Sequence, residues 1–206
     1  MTLAVATPPS SAPMRMTIEE FDLLPDRKRY ELVHGIKVER KVGTESDLIG
    51  ATIAFVLQNF NRVAKLGYVF GENDYAYDPV DRNHFRRPDV SFVAKTRFPG
   101  GKIPTARARF APDLAVEVIS PFDLAADVNE KVTEYKRARV RLIWVVFPSS
   151  RMVDVYCSDG RVYSLDIDQT ITGEDVLPGF SSRVAEFFPE ILGDTSDSTP
   201  AAQNPQ

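Results

Sequence analysis

Two apolar runs, residues 114–119 (LAVEVI) and 142–147 (LIWVVF), flank a stretch of helical periodicity, and no other feature of the chain limits its fold as tightly. Runs this rich in β-branched residues read as strands covered on both faces. Between them, residues 123–139 repeat Val128, Val132, Tyr135 and Ala138 at intervals of three or four, the spacing of an amphipathic crossover helix. One residue breaks the pattern. Strand alternation puts Glu117 on the face of Ala115 and Ile119, opposite Leu114, Val116 and Val118. A carboxylate removed from water there costs several kcal/mol unless it is paired, neutralised or bound to a cation. A positive partner is therefore expected, either an arginine such as Arg86 or Arg87 or a metal ion.

The rest of the chain fits an α/β domain built on a mixed β-sheet flanked by helices. Thr17-Ile18-Glu19-Glu20 is a capping box, which predicts a short helix ending by Pro25. Residues 30–33 and 36–41 predict a hairpin over His34-Gly35. Ile49, Ile53, Val56, Leu57, Phe60 and Ala64 predict a helix over 46–65, with Ser46 as N-cap and Gly67 just past the end. Strands follow at 68–70, 74–78 and 88–93, the last two joined around 80–83, and a final hairpin at 152–157 and 161–166 turns over Asp159-Gly160. A tail with Leu177-Pro178-Gly179-Phe180 closes the domain, which spans 16–192 between a disordered leader (1–15) and a disordered tail (193–206), both too polar or too small-residue-rich to form a core.

Several functions are excluded early. Lys plus Arg number 25 against 29 Asp plus Glu, a net charge of −4, which rules out a polybasic coat for DNA. Cys157 is the one cysteine, so neither an intramolecular disulfide nor a thiolate zinc cluster can form, and a reducing cytoplasm is the expected compartment. No apolar run reaches the roughly 18 residues of a membrane span, and the N-terminus lacks the pattern of a signal peptide. A G-x-S-x-G elbow and a phosphate-cradling P-loop are missing, and neither His34 nor His84 follows a candidate serine in the expected context.

Carboxylates remain. Asp89 opens the apolar run 88–93 directly after Arg86-Arg87, so it sits at the mouth of the sheet, as a chelating partner of Glu117 would. Mg²⁺ prefers oxygen ligands and is commonly held by one or two carboxylates together with substrate phosphates. Phosphoester hydrolysis also needs a group to orient the attacking water. Lys131 is placed for it, since Asp127, Lys131 and Tyr135 follow at i, i+4 and i+8 on one helix face. Desolvation would lower its pKa and nearby carboxylates would raise it.

These residues carry a resemblance. An Arg-Pro-Asp strand (Asp89) followed by Ala-Val-Glu-Val-Ile-Ser-Pro (Glu117) is similar to the PD-(D/E)XK nuclease superfamily. More narrowly, Tyr30-Glu31-Leu32-Val33-His34-Gly35, Arg87-Pro88-Asp89-Val90, Val116-Glu117-Val118-Ile119-Ser120-Pro121, then Asp127, Lys131, Tyr135 and Trp144, resemble the Uma-type bacterial endonuclease family over residues 16–192. The resemblance implies a restriction-endonuclease-like core, Asp89 and Glu117 as ligands of Mg²⁺ or Mn²⁺, Glu31 as an accessory acid, Lys131 as the catalytic lysine, and a homodimer. The superfamily's lysine usually lies two positions after the second carboxylate, where this chain has Ile119, so Lys131 substitutes for it from the helix. The histidine that often opens the long helix is missing near Ser46.

Residues 82–109 hold eight Lys or Arg against Asp89 alone, and this segment is expected to contact a phosphate backbone beside the metal. The expected activity is metal-dependent hydrolysis of nucleic acid, with DNA as the expected form. The alternatives are a catalytically inactive nucleic-acid-binding module or a protein-interaction module on the same fold.

Overall fold

The computed structural model describes residues 14–189 except 42, 79 and 106; residues 1–13 of the leader and the whole tail from 193 lie outside the described residues. In chain order the elements are α1 (Ile18–Asp22), β1 (Tyr30–Val33), β2 (Ile36–Glu39), α2 (Thr44–Ala64), β3 (Gly67–Gly71), β4 (Val90–Ala94), β5 (Leu114–Val118), α3 (Ala125–Arg137), β6 (Leu142–Phe147), β7 (Met152–Cys157), β8 (Val162–Leu165), β9 (Thr170–Gly173) and β10 (Leu177–Arg183). Strands β3 to β8 form one six-stranded sheet in sequence order, while β1 with β2 and β9 with β10 are separate hairpins. Only β5 and β6 run parallel within it, joined by α3, and the other pairs are antiparallel. No helix of the described residues is long and apolar enough to cross a membrane.

Alternation along β5 divides the core. Leu114, Val116 and Val118 face α2, where they meet Ile49, Ile53 and Leu57 together with Trp144, Phe180 and Phe187. Ala115 faces α3 and joins Val132, Tyr135, Ile143 and Val145. All five β5 residues are buried, so Glu117 lies on the α3 side of a strand covered twice, as its sequence position predicts.

Three expectations change. Helix α2 starts at Thr44 with Gly43 as its N-cap, and Ser46 is the third helical residue instead; its hydroxyl donates to the Gly43 carbonyl at 2.8 Å and accepts the Gly43 amide at 3.1 Å. Residues 74–78 form no strand, since β3 pairs directly with β4 and Tyr75 makes only isolated bridges to Arg86 and Ala108. Ion pairs of Asp74 with Arg87 and Arg107 hold that segment where a ladder was expected. The tail beyond β8 contains the β9–β10 hairpin, whose Leu177 and Phe180 are buried in the α2-side core.

Gly67 marks where the chain leaves α2 and enters β3. A Cβ there would overlap the Val93 carbonyl oxygen and come 2.7 Å from Phe92 Cζ and 2.8 Å from Ala94 Cα. Backbone and a buried ring cannot both yield, so Gly67→Ala is expected to destabilise by about 3 kcal/mol. Urea unfolding measures this, and an unchanged midpoint would show that β3 shifts freely.

Candidate active site

The β4–β5 register sets the centre of the site. Val90 stands opposite Val116 in an antiparallel pair, so the next position outward brings Asp89 across from Glu117. Asp89 Oδ2 accepts the Val118 amide at 2.8 Å, and Oδ1 takes a contact from Arg40 Nη2 at 3.2 Å. Arg40 also binds Glu72 at 2.8 Å. Glu117, 4% exposed, is held at both oxygens from α3: Lys131 Nζ donates to Oε2 at 2.7 Å and Tyr135 Oη to Oε1 at 2.6 Å. The positive partner required by its burial is thus Lys131, while Arg86 pairs with Glu31 and Glu134 and Arg87 with Asp74.

Glu31 on β1 completes the group. A hairpin glutamate is ordinarily solvated, yet this one is 2% exposed. It accepts the Arg87 amide at 2.6 Å and Arg86 Nη1 at 3.1 Å. Arg86 in turn forks Glu134 on α3, through Nε at 2.6 Å and Nη2 at 2.8 Å. All four residues singled out in the sequence therefore line one pocket of about 410 Å³, with Asp127 at its wall paired to Lys41.

Protonation states follow from this crowding. Burial and the charge of Glu117 push the Asp89 carboxyl up to about 7, against the pull of Lys131, the Val118 amide and Arg40. Burial alone would weaken the Lys131 ammonium, but Glu117, Glu31 and Asp89 outweigh it and its pKa rises. Lys131 is an ammonium, not a base. For Glu31 burial is likewise overcome, by Lys131, Arg86 and the Arg87 amide, so it stays ionised below the usual carboxylate range. Burial and the adjacent Glu117 push the Tyr135 hydroxyl well up, which keeps it a donor.

The donor chemistry fits a hard divalent ion. Nine carboxylates line the pocket against four cationic side chains, and Asp89 in particular carries a charge its neighbours do not fully offset. Oxygen donors of this kind select Mg²⁺ or Mn²⁺ over softer metals.

The basic segment 82–109 behaves differently from expectation. Arg86 and Arg87 are buried, and Arg97 and Arg107 pair with Asp113 and with Asp22 and Asp74. These four arginines brace the fold, Arg97 from an exposed position, and only Arg82, Lys95, Lys102 and Arg109 of the eight are exposed without a part in that bracing. Arg40 escaped the sequence reading, and so did the true partners of Arg86, which was a candidate partner of Glu117 and instead binds Glu31 and Glu134. Arg40 follows a hairpin with no motif around it, and the role of Arg86 depends on a partner 48 residues away.

A mixed sheet with one parallel pair, a helix on each face and an acidic pocket at the β4–β5 edge define a restriction-endonuclease-like α/β protein. The sequence profile of the Uma2 family, described as "Putative restriction endonuclease", matches residues 18–185. The chain belongs to that family. Among solved structures it is similar to "a putative nuclease belonging to DUF820 from Anabaena variabilis", with a TM-score of 0.72 and 19% sequence identity over 84% of this chain and 97% of that one. At that identity the likeness speaks for the fold. No curated protein matches the chain.

Proposed function

We propose that this protein is a metal-dependent endonuclease that hydrolyses phosphodiester bonds of nucleic acid, with DNA as substrate. One observation carries the reading: Asp89 and Glu117 meet across β4–β5 at the floor of an acidic pocket, with the Lys131 ammonium fixed on the second carboxylate. Asp89 and Glu117 would hold Mg²⁺ or Mn²⁺, which when bound supplies Lewis-acid polarisation of the phosphate and a more acidic water. Tyr135 pins one oxygen of Glu117 and so fixes the direction of the other. Lys131 sits beside the same carboxylate as a permanent cation, suited to orienting a water or countering the negative charge that builds on the phosphoryl oxygens in the transition state. Glu31, ionised and held by Arg86 and the Arg87 amide, offers a second acceptor for the attacking water.

Supercoiled plasmid incubated with purified protein and Mn²⁺ is expected to be nicked, and EDTA is expected to stop it. Lys131→Met is expected to lower the nicking rate by about 10²–10³-fold, with Lys131→Arg recovering part of the loss because the charge returns. Since Lys131 stays protonated, its titration is not expected to add a limb to the pH–rate profile. A Lys131→Met protein as active as the parent would remove the lysine from the mechanism. Salt-sensitive DNA binding without Mn²⁺ uptake or nicking would favour the inactive binding module. A homodimer, giving one site per strand, is part of the proposal; light scattering that shows only monomer at micromolar concentration would remove it.

A further inference from the structure

The chain contains two histidines, and the fold brings them together although 50 positions separate them. Their rings lie 4.6 Å apart, and a nitrogen of each falls with a Glu134 oxygen in a group whose members are all within 4.8 Å of one another. From this geometry we propose a second metal site, distinct from the carboxylate pocket, in which His34, His84 and Glu134 bind a borderline ion such as Zn²⁺ or Co²⁺.

The donor set distinguishes it from the first site. Two imidazoles and one carboxylate suit Zn²⁺ and Co²⁺, whereas the Asp89 pocket offers only oxygen. One edge of the polyhedron already exists. His84 Nε2 lies 3.2 Å from Glu134 Oε2, close to the ligand separation of about 3.3 Å in a tetrahedron with bonds of about 2.0–2.1 Å. Both of these side chains are nearly buried, whereas His34 is half exposed at 50%. His34 is therefore the ligand free to close on the ion, from the tip of the two-residue turn between β1 and β2.

Outer contacts orient two of the three groups. His34 Nδ1 sits 2.7 Å from Asp81 Oδ2, which assigns the ring proton to Nδ1 and leaves Nε2 with its lone pair, the usual carboxylate–histidine–metal arrangement. Arg86 grips both oxygens of Glu134 from the other side. His84 has to change tautomer. Its Nδ1 takes the His34 amide at 3.4 Å, a long contact that places the proton on Nε2. On metal binding that proton is carried at Nδ1 instead, the long contact is given up, and the Nε2 lone pair is released to the ion. The fourth position faces a surface pocket of about 780 Å³ that His34, His84 and Glu134 help to line, so a water or an anionic ligand can fill it.

Zinc titration followed by NMR of the imidazole protons reads the site directly, because only two histidines contribute. Both ring signals are expected to move together, with one Zn²⁺ bound per chain, and Co²⁺ is expected to give the visible absorption of tetrahedral coordination. His34→Asn keeps a residue that tolerates the positive φ of 51°; it is expected to weaken Zn²⁺ binding by more than about tenfold. Asp89→Asn is expected to leave it unchanged. Zinc that leaves both rings unmoved, His34→Asn that binds as tightly as the parent, or loss of zinc uptake in Asp89→Asn would each overturn the proposal. None of these readouts depends on nuclease activity.

Discussion

Asp89→Asn is expected to cut plasmid nicking by about 10³-fold or more while raising the melting temperature of the metal-free protein at neutral pH. Both effects have one cause. The carboxylate that would hold the ion has its pKa pushed up to about 7 by burial and by Glu117, against about 3.9 in an unfolded chain. A raised folded-state pKa means the native protein binds the proton more tightly, so the stability from the neutral form is complete below about pH 4 and is lost as pH rises through about 7. Asparagine imitates the protonated acid at every pH: its oxygen can accept the Val118 amide, while its NH₂ takes the place of Oδ1 and the 3.2 Å contact from Arg40 is given up. The two melting curves should therefore coincide near pH 4 and separate towards pH 8. Mn²⁺ should raise the melting temperature of the parent at pH 8, since an ion that binds only the native state stabilises it, and do little for the variant. A separation that is the same at pH 4 and pH 8 would refute the charge account, and undiminished nicking would refute the ligand role. Stabilisation by removing a functional charge is a common cost of active-site design.

The parts of this molecule that follow local rules were legible in its sequence. The Thr17 capping box forms as written, with the Thr17 hydroxyl accepting from Glu20 and the Glu20 carboxylate accepting the Thr17 amide, and the alternation around Glu117 delivers its side chain to the α3 face. Lys131 and Tyr135 reach that carboxylate because four residues of helix bring them to one face. What escaped was non-local. The five-residue alternation of 74–78 looks like a strand, yet Asp74 is captured by Arg87 and Arg107, and ion pairs fix that segment where strand pairing was expected. The arginines of 82–109 look like a phosphate-binding run because sequence records their charge and not their partners. Asp22, Asp74, Asp113 and Glu134 neutralise four of them, and those acids lie between 13 and 85 positions away. Nothing in the sequence links His34, at the turn of the first hairpin, to His84, and only the fold makes them neighbours.

Arg86→Met is expected to be the most destabilising change among the polar residues of the site, by about 3–5 kcal/mol at pH 7. The Arg86 side chain is 4% exposed and bridges two carboxylates whose side chains are 3% and 10% exposed, Glu31 and Glu134. Methionine conserves much of its volume, so the loss comes from the two charges left without their counter-ion. The pH dependence tests that assignment. At Glu134 burial opposes ionisation, but Arg86 and His84 overcome it and hold the carboxyl at about 2; Glu31 is also lowered. Groups with lowered folded-state pKa values contribute stability that is present above the unfolded value near 4.3 and disappears as pH falls through the folded one. Without Arg86 both carboxyls rise, so the variant gains by protonating them and its deficit should shrink as the pH drops from 7 to 4. Urea unfolding at those two pH values measures the difference. A deficit equal at both would assign the loss to packing. Arg86→Lys is expected to recover only part of the stability, because one ammonium cannot reproduce the fork that Nε and Nη2 make on Glu134 while also reaching Glu31.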